Sequence, residues 1–91
     1  MDITIANEVE PIPSLTIFEV RFFSANQYIH TSIPCKREDN FSKLEEKLFQ
    51  KYPELRYNKI CYFHNVSLIN KSGTLIENRI NNGDSIMVIM R

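Results

Sequence analysis

The chain has 91 residues, enough for one small domain, and its 43% hydrophobic content allows one modest core. It carries 11 basic and 11 acidic residues, so its formal net charge of zero offers no electrostatic attraction for nucleic acid or anionic membranes. No apolar run approaches the ~20 residues that a membrane-spanning helix needs. We therefore expect neither a nucleic-acid partner nor membrane insertion.

The first 14 residues differ in composition from the rest of the chain. Pro11 and Pro13, with few large apolar side chains around them, predict an extended tail over residues 1–14. The tail is acidic, because Asp2, Glu8 and Glu10 precede every basic residue of the chain. We therefore divide the chain into an acidic tail, 1–14, and a folded domain, 15–91.

The start of the sequence lacks the basic segment and long apolar run of a signal peptide. We expect an intracellular protein, cytoplasmic in the first instance, with the nucleus or an organelle-associated assembly left open. In that setting Cys35 and Cys61 are expected to be reduced thiols rather than a disulfide.

Residues 15–34 alternate between apolar and polar side chains in two runs, which is the period of β-strands. The segment LTIFEVRFFS predicts a first strand with Phe18, Val20 and Phe22 on one face. The opposite face then carries Ile17, Glu19, Arg21 and Phe23. After the turn residues SANQ, the segment YIHTSIP predicts a second strand in which Pro34 either ends the strand or marks it as an edge strand, and the two strands form a hairpin.

The segment REDNFSKLEEKLFQKYPEL changes to the period of a helix. Its apolar side chains recur at spacings of three, four and four residues, at Phe41, Leu44, Leu48 and Tyr52. Asn40 is the expected N-cap, with Ser42 and Glu45 as a rival capping box. Pro53 prevents continuation, so we predict a helix over roughly residues 41–52.

The remaining segments predict the rest of an α+β fold. NKICYFHNVSLI predicts a strand that turns at His64-Asn65, and SIMVIMR predicts a last strand that is apolar at nearly every position, as central strands are. Two hairpin strands, a covering helix and a returning last strand predict a roll with a mixed sheet of four or five strands. The first and last strands should be parallel neighbours.

The segment YFHNVSLINKSGTLIENRINNGDSIMVIMR resembles the second half of ubiquitin-like domains. The matching positions are Phe63, the turn at Asn65, Leu68, Thr74-Leu75, Ile80, Gly83-Asp84, Ile86, Val88 and Met90. Over about residues 15–91 the chain resembles the ubiquitin-like family of the ubiquitin and SUMO type, and Gly83-Asp84 is more similar to the SUMO branch. The resemblance implies a β-grasp roll, with a mixed sheet of four or five strands packed on one helix.

The resemblance also bears on conjugation. Ubiquitin and SUMO continue past the last strand into a Gly-Gly tail that an activating enzyme adenylates, whereas this sequence has Arg91 at that point. We therefore expect a ubiquitin-like protein without the C-terminal Gly-Gly, which is not conjugated and acts through its surface.

No constellation in the sequence indicates catalysis or a cofactor. The soft metal ligands are His30, Cys35, Cys61 and His64. Their spacings of three and five along strands place paired members on opposite faces, which does not suit a zinc site. With two glycines there is no glycine-rich phosphate loop. We expect no enzyme, no cofactor and no metal.

The sheet face turned away from the helix is the candidate binding surface. With Cys61 and Phe63 pointing into the core, the expected surface residues are Ile17, Phe23, Ile60, Tyr62, Met87 and Ile89. In ubiquitin the matching face carries the apolar patch that most ubiquitin readers grip, and Tyr62 and Ile89 match two of its members by position. An alternative is a strand register shifted by one residue, or a tail that folds over the face.

These observations leave two functional hypotheses. In the first, the chain is a non-catalytic interaction module that binds protein partners through the apolar sheet face. In the second, it is a structural accessory subunit of a large stable assembly, cytoskeletal or organellar, with that face permanently buried. The short length favours the second hypothesis, because a docking module is normally attached to the domain it serves.

Overall fold

The computed structural model describes residues 18–90. The predicted tail over residues 1–14, and the positions of Ile17 and Arg91, lie outside the described residues. The elements, in chain order, are β1 (Phe18–Phe23), β2 (His30–Cys35), α1 (Phe41–Lys51), a 3-10 helix (Pro53–Tyr57), β3 (Ile60–His64), β4 (Ser67–Leu68) and β5 (Ser85–Met90). In this part of the chain, neither helix has the length and apolarity needed to cross a bilayer.

The five strands between residues 18 and 90 form one mixed sheet in the order β2-β1-β5-β3-β4. β1 pairs antiparallel with β2 and parallel with β5, while β5 and β4 both pair antiparallel with β3. The predicted α+β roll is confirmed, including the parallel pairing of the first and last strands. β5 is the central strand, in agreement with its nearly continuous apolar sequence.

The helix α1 agrees with the prediction over residues 41–52. Asn40 occupies the N-cap position, but its side chain makes no capping hydrogen bond, so the expectation of a side-chain cap was wrong. Instead, the backbone N–H of Phe41 donates to the carbonyl oxygen of Gly73 at 2.9 Å. A backbone group from the loop after β4 therefore satisfies one of the free N–H groups at the helix start.

The core lies between α1 and one face of the sheet. Its fully buried side chains include Val20, Phe22, Ile29, Ile33, Phe41, Leu44, Leu48, Leu55, Tyr62, Leu75 and Ile86. At its centre the rings of Phe22, Phe41 and Tyr62 contact one another in tilted and edge-on arrangements, with centroids 4.9–6.0 Å apart. Such aromatic pairs favour edge-on geometry, and each buried ring contributes on the order of 2–3 kcal/mol by area.

The loop between β4 and β5 is ordered by its own polar side chains. The N–H of Glu77 donates to the Thr74 hydroxyl at 3.0 Å, and the Glu77 carboxylate accepts from the Thr74 N–H at 2.8 Å. This reciprocal arrangement is a capping box. It holds Leu75 in the core, as the sequence predicted. Gly83 has a φ of 85°, the left-handed conformation expected of it, and its N–H donates to the Glu19 carbonyl at 2.8 Å.

Candidate protein-binding surface

The outer sheet face, meaning the face turned away from α1, is built from alternate residues of each strand. On β5, Ile86 and Val88 are buried against the helix, whereas Met87 is half-buried and Ile89 is 38% exposed on the outer face. Phe23 of β1 is half-buried on the same face. The structure therefore brings together three of the predicted surface residues: Phe23, Met87 and Ile89.

Two of the predicted surface residues do not lie on this face. Ile60 is 7% exposed and Tyr62 is fully buried, and both belong to the core under α1. The outer positions of β3 are taken by Cys61 and Phe63, both half-buried, although both were expected to point inward. The expected register of β3 was wrong by one residue, which reverses the face of every side chain on the strand.

The position of Tyr62 has an identifiable physical cause. Its ring packs against Phe22 and Phe41, and its hydroxyl donates to Oε2 of Glu45 on the helix at 2.8 Å. The buried hydroxyl therefore has a partner, so the large ring can enter the core without an unsatisfied polar group. Burial, and then the hydrogen bond to Glu45, raise the pKa of Tyr62 far above its ordinary value, so the phenol stays neutral.

Lys71 completes a polar contact above the core. Its Nζ lies 3.2 Å from Oε2 of Glu45 and 5.3 Å from the centre of the Tyr62 ring. The Glu45 carboxylate thus accepts from a neutral phenol and a cation, and the ammonium also lies within cation–π range of the ring. This network holds Tyr62 against the helix, so its ring belongs to the core and not to the outer face.

Strand registers show that apolar side chains line up across the outer face. Phe23 of β1 lies opposite Met87 of β5, Met87 lies opposite Phe63 of β3, and Phe63 lies opposite Leu68 of β4. We call these four residues the apolar row. It crosses four adjacent strands at right angles, and its neighbour on β5, Ile89, lies opposite Cys61.

Sequence reasoning missed two members of the apolar row, Phe63 and Leu68. Both were assigned from the family resemblance to the apolar pattern of the domain, but Leu68 is 63% exposed and Phe63 points outward. The sequence does offer a signal for Leu68. The next residue, Ile69, is also apolar, and it is Ile69 that is buried in the structure, which leaves Leu68 exposed.

The flanks of the apolar row differ in polarity. On one side, Arg21 and Ser85 are exposed and lie opposite each other, two residues before Phe23 and Met87. A surface depression lies here, lined in part by Arg21, Phe23 and Ser85. On the other side lies the apolar pair formed by Ile89 and Cys61, so the surface has one polar and one apolar border.

The soft metal ligands of the sequence lie in separate environments. Cys35 is buried in the core, Cys61 lies on the outer face, and both are free thiols. His64 Nε2 lies 2.8 Å from Oδ2 of Asp84, and His30 is exposed at the start of β2. Across residues 18–90, no three His, Cys, Asp or Glu side chains come together in a way that could hold a metal ion. Burial raises the pKa of Cys35 to about 11, so its thiol stays protonated and unreactive near neutral pH.

Comparison with known proteins gives a match in structure rather than in sequence. No protein-family model and no curated protein sequence matches the chain. A solved structure of a protein designed de novo on the basis of ubiquitin superposes with a TM-score of 0.66 at 18% sequence identity. The match covers 84% of this chain and 90% of the designed chain. At this identity the match shows the fold alone, and that fold is the ubiquitin-like β-grasp.

Proposed function

We propose that the chain is a non-catalytic, ubiquitin-like interaction module that binds a protein partner non-covalently through the apolar row and Ile89. The observation that carries the proposal is the register of the sheet, which aligns Phe23, Met87, Phe63 and Leu68 across four strands. Large apolar side chains aligned on a sheet face form the kind of contiguous patch that marks protein interaction sites.

The direction of the apolar row favours a helical partner. Neighbouring strands lie about 4.8 Å apart, so the row is roughly 14–15 Å long. A helix laid along it advances about 5.4 Å per turn and presents one side chain of each turn to about one strand. About ten residues of a helix with an apolar stripe would cover the row. An acidic residue on the partner's flank would then face Arg21, which is exposed beside the row.

The degree of exposure favours a docking module over a permanently buried subunit. Within the surface, Leu68 and Ile89 are 63% and 38% exposed, while Phe23, Phe63 and Met87 are half-buried among their neighbours. Ile60 and Tyr62, which would have enlarged the face, are in the core. A face of this size is compatible with a protein that exists free and binds reversibly, since the largest apolar patch on a monomer is often a functional binding site.

The test compares surface variants with a matched control. Ile89→Asp and Leu68→Asp place a charge on the proposed surface, whereas Ile76→Asp changes an isoleucine that is 52% exposed in the loop between β4 and β5. Each tagged variant is used to recover partners from native extract, the recovered proteins are identified by mass spectrometry, and each variant's thermal melt is recorded. Size-exclusion profiles of the extract show whether the chain elutes free or within one large complex.

The proposal expects a defined set of partners with the unmodified chain and with Ile76→Asp, and loss of that set with Ile89→Asp and with Leu68→Asp. All four proteins should remain folded, with the free energy of unfolding of each variant within about 1 kcal/mol of the unmodified chain. Equal recovery of the same partners by all four proteins would show that the outer face is not the interface. Elution only within one large complex, with no free chain, would favour the structural subunit instead.

A further inference from the structure

The free edge of β2 is the longest unpaired strand edge among the described residues, because β2 lies at the end of the sheet with six residues and β4, at the other end, has two. An exposed edge normally offers a row of N–H and C=O groups to any strand that approaches.

The hydrogen-bond ladder between β1 and β2 determines which backbone groups of β2 point toward the free edge. Ser24 N–H donates to the Ile29 carbonyl, which continues the β1–β2 register by one pair. In an antiparallel ladder hydrogen-bonded pairs alternate with non-bonded pairs. The backbone groups of Ile29, Thr31 and Ile33 therefore point toward β1. Those of His30, Ser32 and Pro34 point to the free edge.

Pairing on the far side of β1 agrees with this assignment. Arg21 N–H donates to the Asp84 carbonyl, and the Glu19 carbonyl accepts from Gly83 N–H. Arg21 and Glu19 thus direct their backbone groups toward β5. Their partners on β2, Ser32 and Pro34, therefore make no backbone hydrogen bonds with β1.

Three of the six outward backbone positions of His30, Ser32 and Pro34 are already occupied or lack a donor. Pro34 has no N–H, and its carbonyl accepts from Nζ of Lys47 on α1 at 3.0 Å. At the other end, His30 N–H donates to the hydroxyl of Tyr52 at 3.3 Å. The Tyr52 ring is held in place by an edge-on contact with Tyr28, with centroids 5.6 Å apart.

We propose that Pro34, Lys47 and Tyr52 close the free edge of β2 to added strands, whether from an extended peptide or from a second copy of this chain. A strand that pairs here would find no donor at Pro34 and would have to displace Lys47 and Tyr52 from the groups they occupy. The outward groups left for pairing are the His30 carbonyl and the N–H and C=O of Ser32, which is too short a stretch for a stable ladder. Partners are thereby directed away from strand addition at this edge, independently of whether the outer face binds them.

The test uses the full chain and a variant in which the edge is opened. The opened variant combines Pro34→Val, Lys47→Met and Tyr52→Phe, which restore a donor and remove both blocking groups while keeping the Tyr52 ring. Its matched control combines Lys51→Met, on the exposed side of the same helix, with Tyr57→Phe, a tyrosine that is 88% exposed. Light scattering after size exclusion measures self-association over a range of concentrations, and amide hydrogen exchange reports on Ser32.

The expected result is that the opened variant associates at least about tenfold more tightly than the control and the unmodified chain. The Ser32 amide should become protected as the opened variant associates, since Ser32 lies at the centre of the new contact. Association no tighter than that of the control, in a variant that melts like the unmodified chain, would overturn the proposal. Concentration-dependent protection of Ser32 in the unmodified chain would overturn it as well.

A single variant keeps the test decisive if the combined variant does not fold. Tyr52→Phe removes the hydroxyl that accepts from His30, so the His30 amide should exchange about two- to tenfold faster, the range expected for losing one hydrogen bond. Tyr57→Phe should leave that rate unchanged. An unchanged exchange rate of the His30 amide in Tyr52→Phe would show that the Tyr52 hydroxyl does not occupy this backbone group and would contradict the proposal.

Discussion

The Tyr62 hydroxyl donates to the Glu45 carboxylate at 2.8 Å, and this bond joins β3 to α1. Tyr62 is fully buried, so its hydroxyl would cost free energy there without a partner. The bond therefore explains why a residue expected on the binding face lies under the helix instead.

Removing only this hydroxyl should weaken the fold moderately. Tyr62→Phe keeps the contacts with Phe22 and Phe41 and should lower the free energy of unfolding by about 1.5–3 kcal/mol, the usual contribution of a hydrogen bond to a charged group. Tyr62→Asp leaves a cavity and buries a charge, so it should cost at least about 4 kcal/mol and unfold the domain. Urea unfolding followed by circular dichroism measures both. Tyr57→Phe, at an exposed tyrosine, should stay within about 0.5 kcal/mol of the unmodified chain.

Two isoleucines on adjacent strands should respond oppositely to the same substitution. Ile60 is 7% exposed on the helix side, whereas Ile89 is 38% exposed on the outer face. Ile60→Asp should lower the free energy of unfolding by about 4 kcal/mol, because it buries an unpaired charge. Ile89→Asp should lower it by about 1 kcal/mol or less, mainly through β-propensity. Thermal melts distinguish the two, and equal losses would mean that Ile89 is part of the core.

Alkaline pH should destabilise the fold through two buried groups. Burial raises the pKa of the Cys35 thiol to about 11, and burial with the Glu45 hydrogen bond raises the pKa of Tyr62. In the unfolded chain the Cys35 thiol has a pKa of about 8.5 and the Tyr62 phenol a pKa of about 10. Between the unfolded and folded pKa of each group, the folded chain binds more protons than the unfolded chain. Their contribution to stability is present below about pH 8 and is lost as the pH rises. Urea unfolding from about pH 7 to about pH 11 should show this decline.

The origin of the alkaline effect can be checked with two variants. Cys35→Ala and Tyr62→Phe each remove one titrating group, so each should flatten the decline of stability with pH, and together they should flatten it further. A decline that is equally steep in the double variant would mean that other groups cause it.

Gly83 should be sensitive to the conformation of its backbone rather than to space. Its φ is 85°, and an added Cβ would meet no atom within 4 Å. Gly83→Ala should therefore cost about 1 kcal/mol through strain alone, whereas Gly83→Asn should cost less because asparagine tolerates the left-handed region. Equal thermal melts for Gly83→Ala and the unmodified chain would show that the turn relaxes to a negative φ.

The buried face of an element can be predicted from the sequence where its opposite face is polar. On β1, Glu19 and Arg21 mark the outer face, so the alternation of the strand was decided by its own residues. The helix was equally clear because its apolar positions recur at one spacing. In both elements the predicted faces agree with the structure.

On β3 the sequence does not distinguish the buried face from the outer face. Ile60 and Tyr62 alternate with Cys61 and Phe63, and both sets are apolar, so either register buries a hydrophobic face. The choice depends on contacts between distant segments, namely the packing of Tyr62 on Phe41 and its bond to Glu45. A period of two along one strand carries no information about such contacts, so the observed outer face differs from the predicted one at β3.

The parallel pairing of β1 and β5 has a consequence for how the protein is made. It joins residues 21–23 to residues 85–87, so the centre of the sheet combines the earliest and the latest described segments. A growing chain whose last strand is still inside the ribosome has its first hairpin and its helix, but lacks the strand that links the two halves of the sheet. Contacts so distant in sequence form slowly, and a domain folds as a unit. The core therefore closes only after β5 has emerged, and until then the apolar side chains of β1 and α1 lack the strand that completes the sheet.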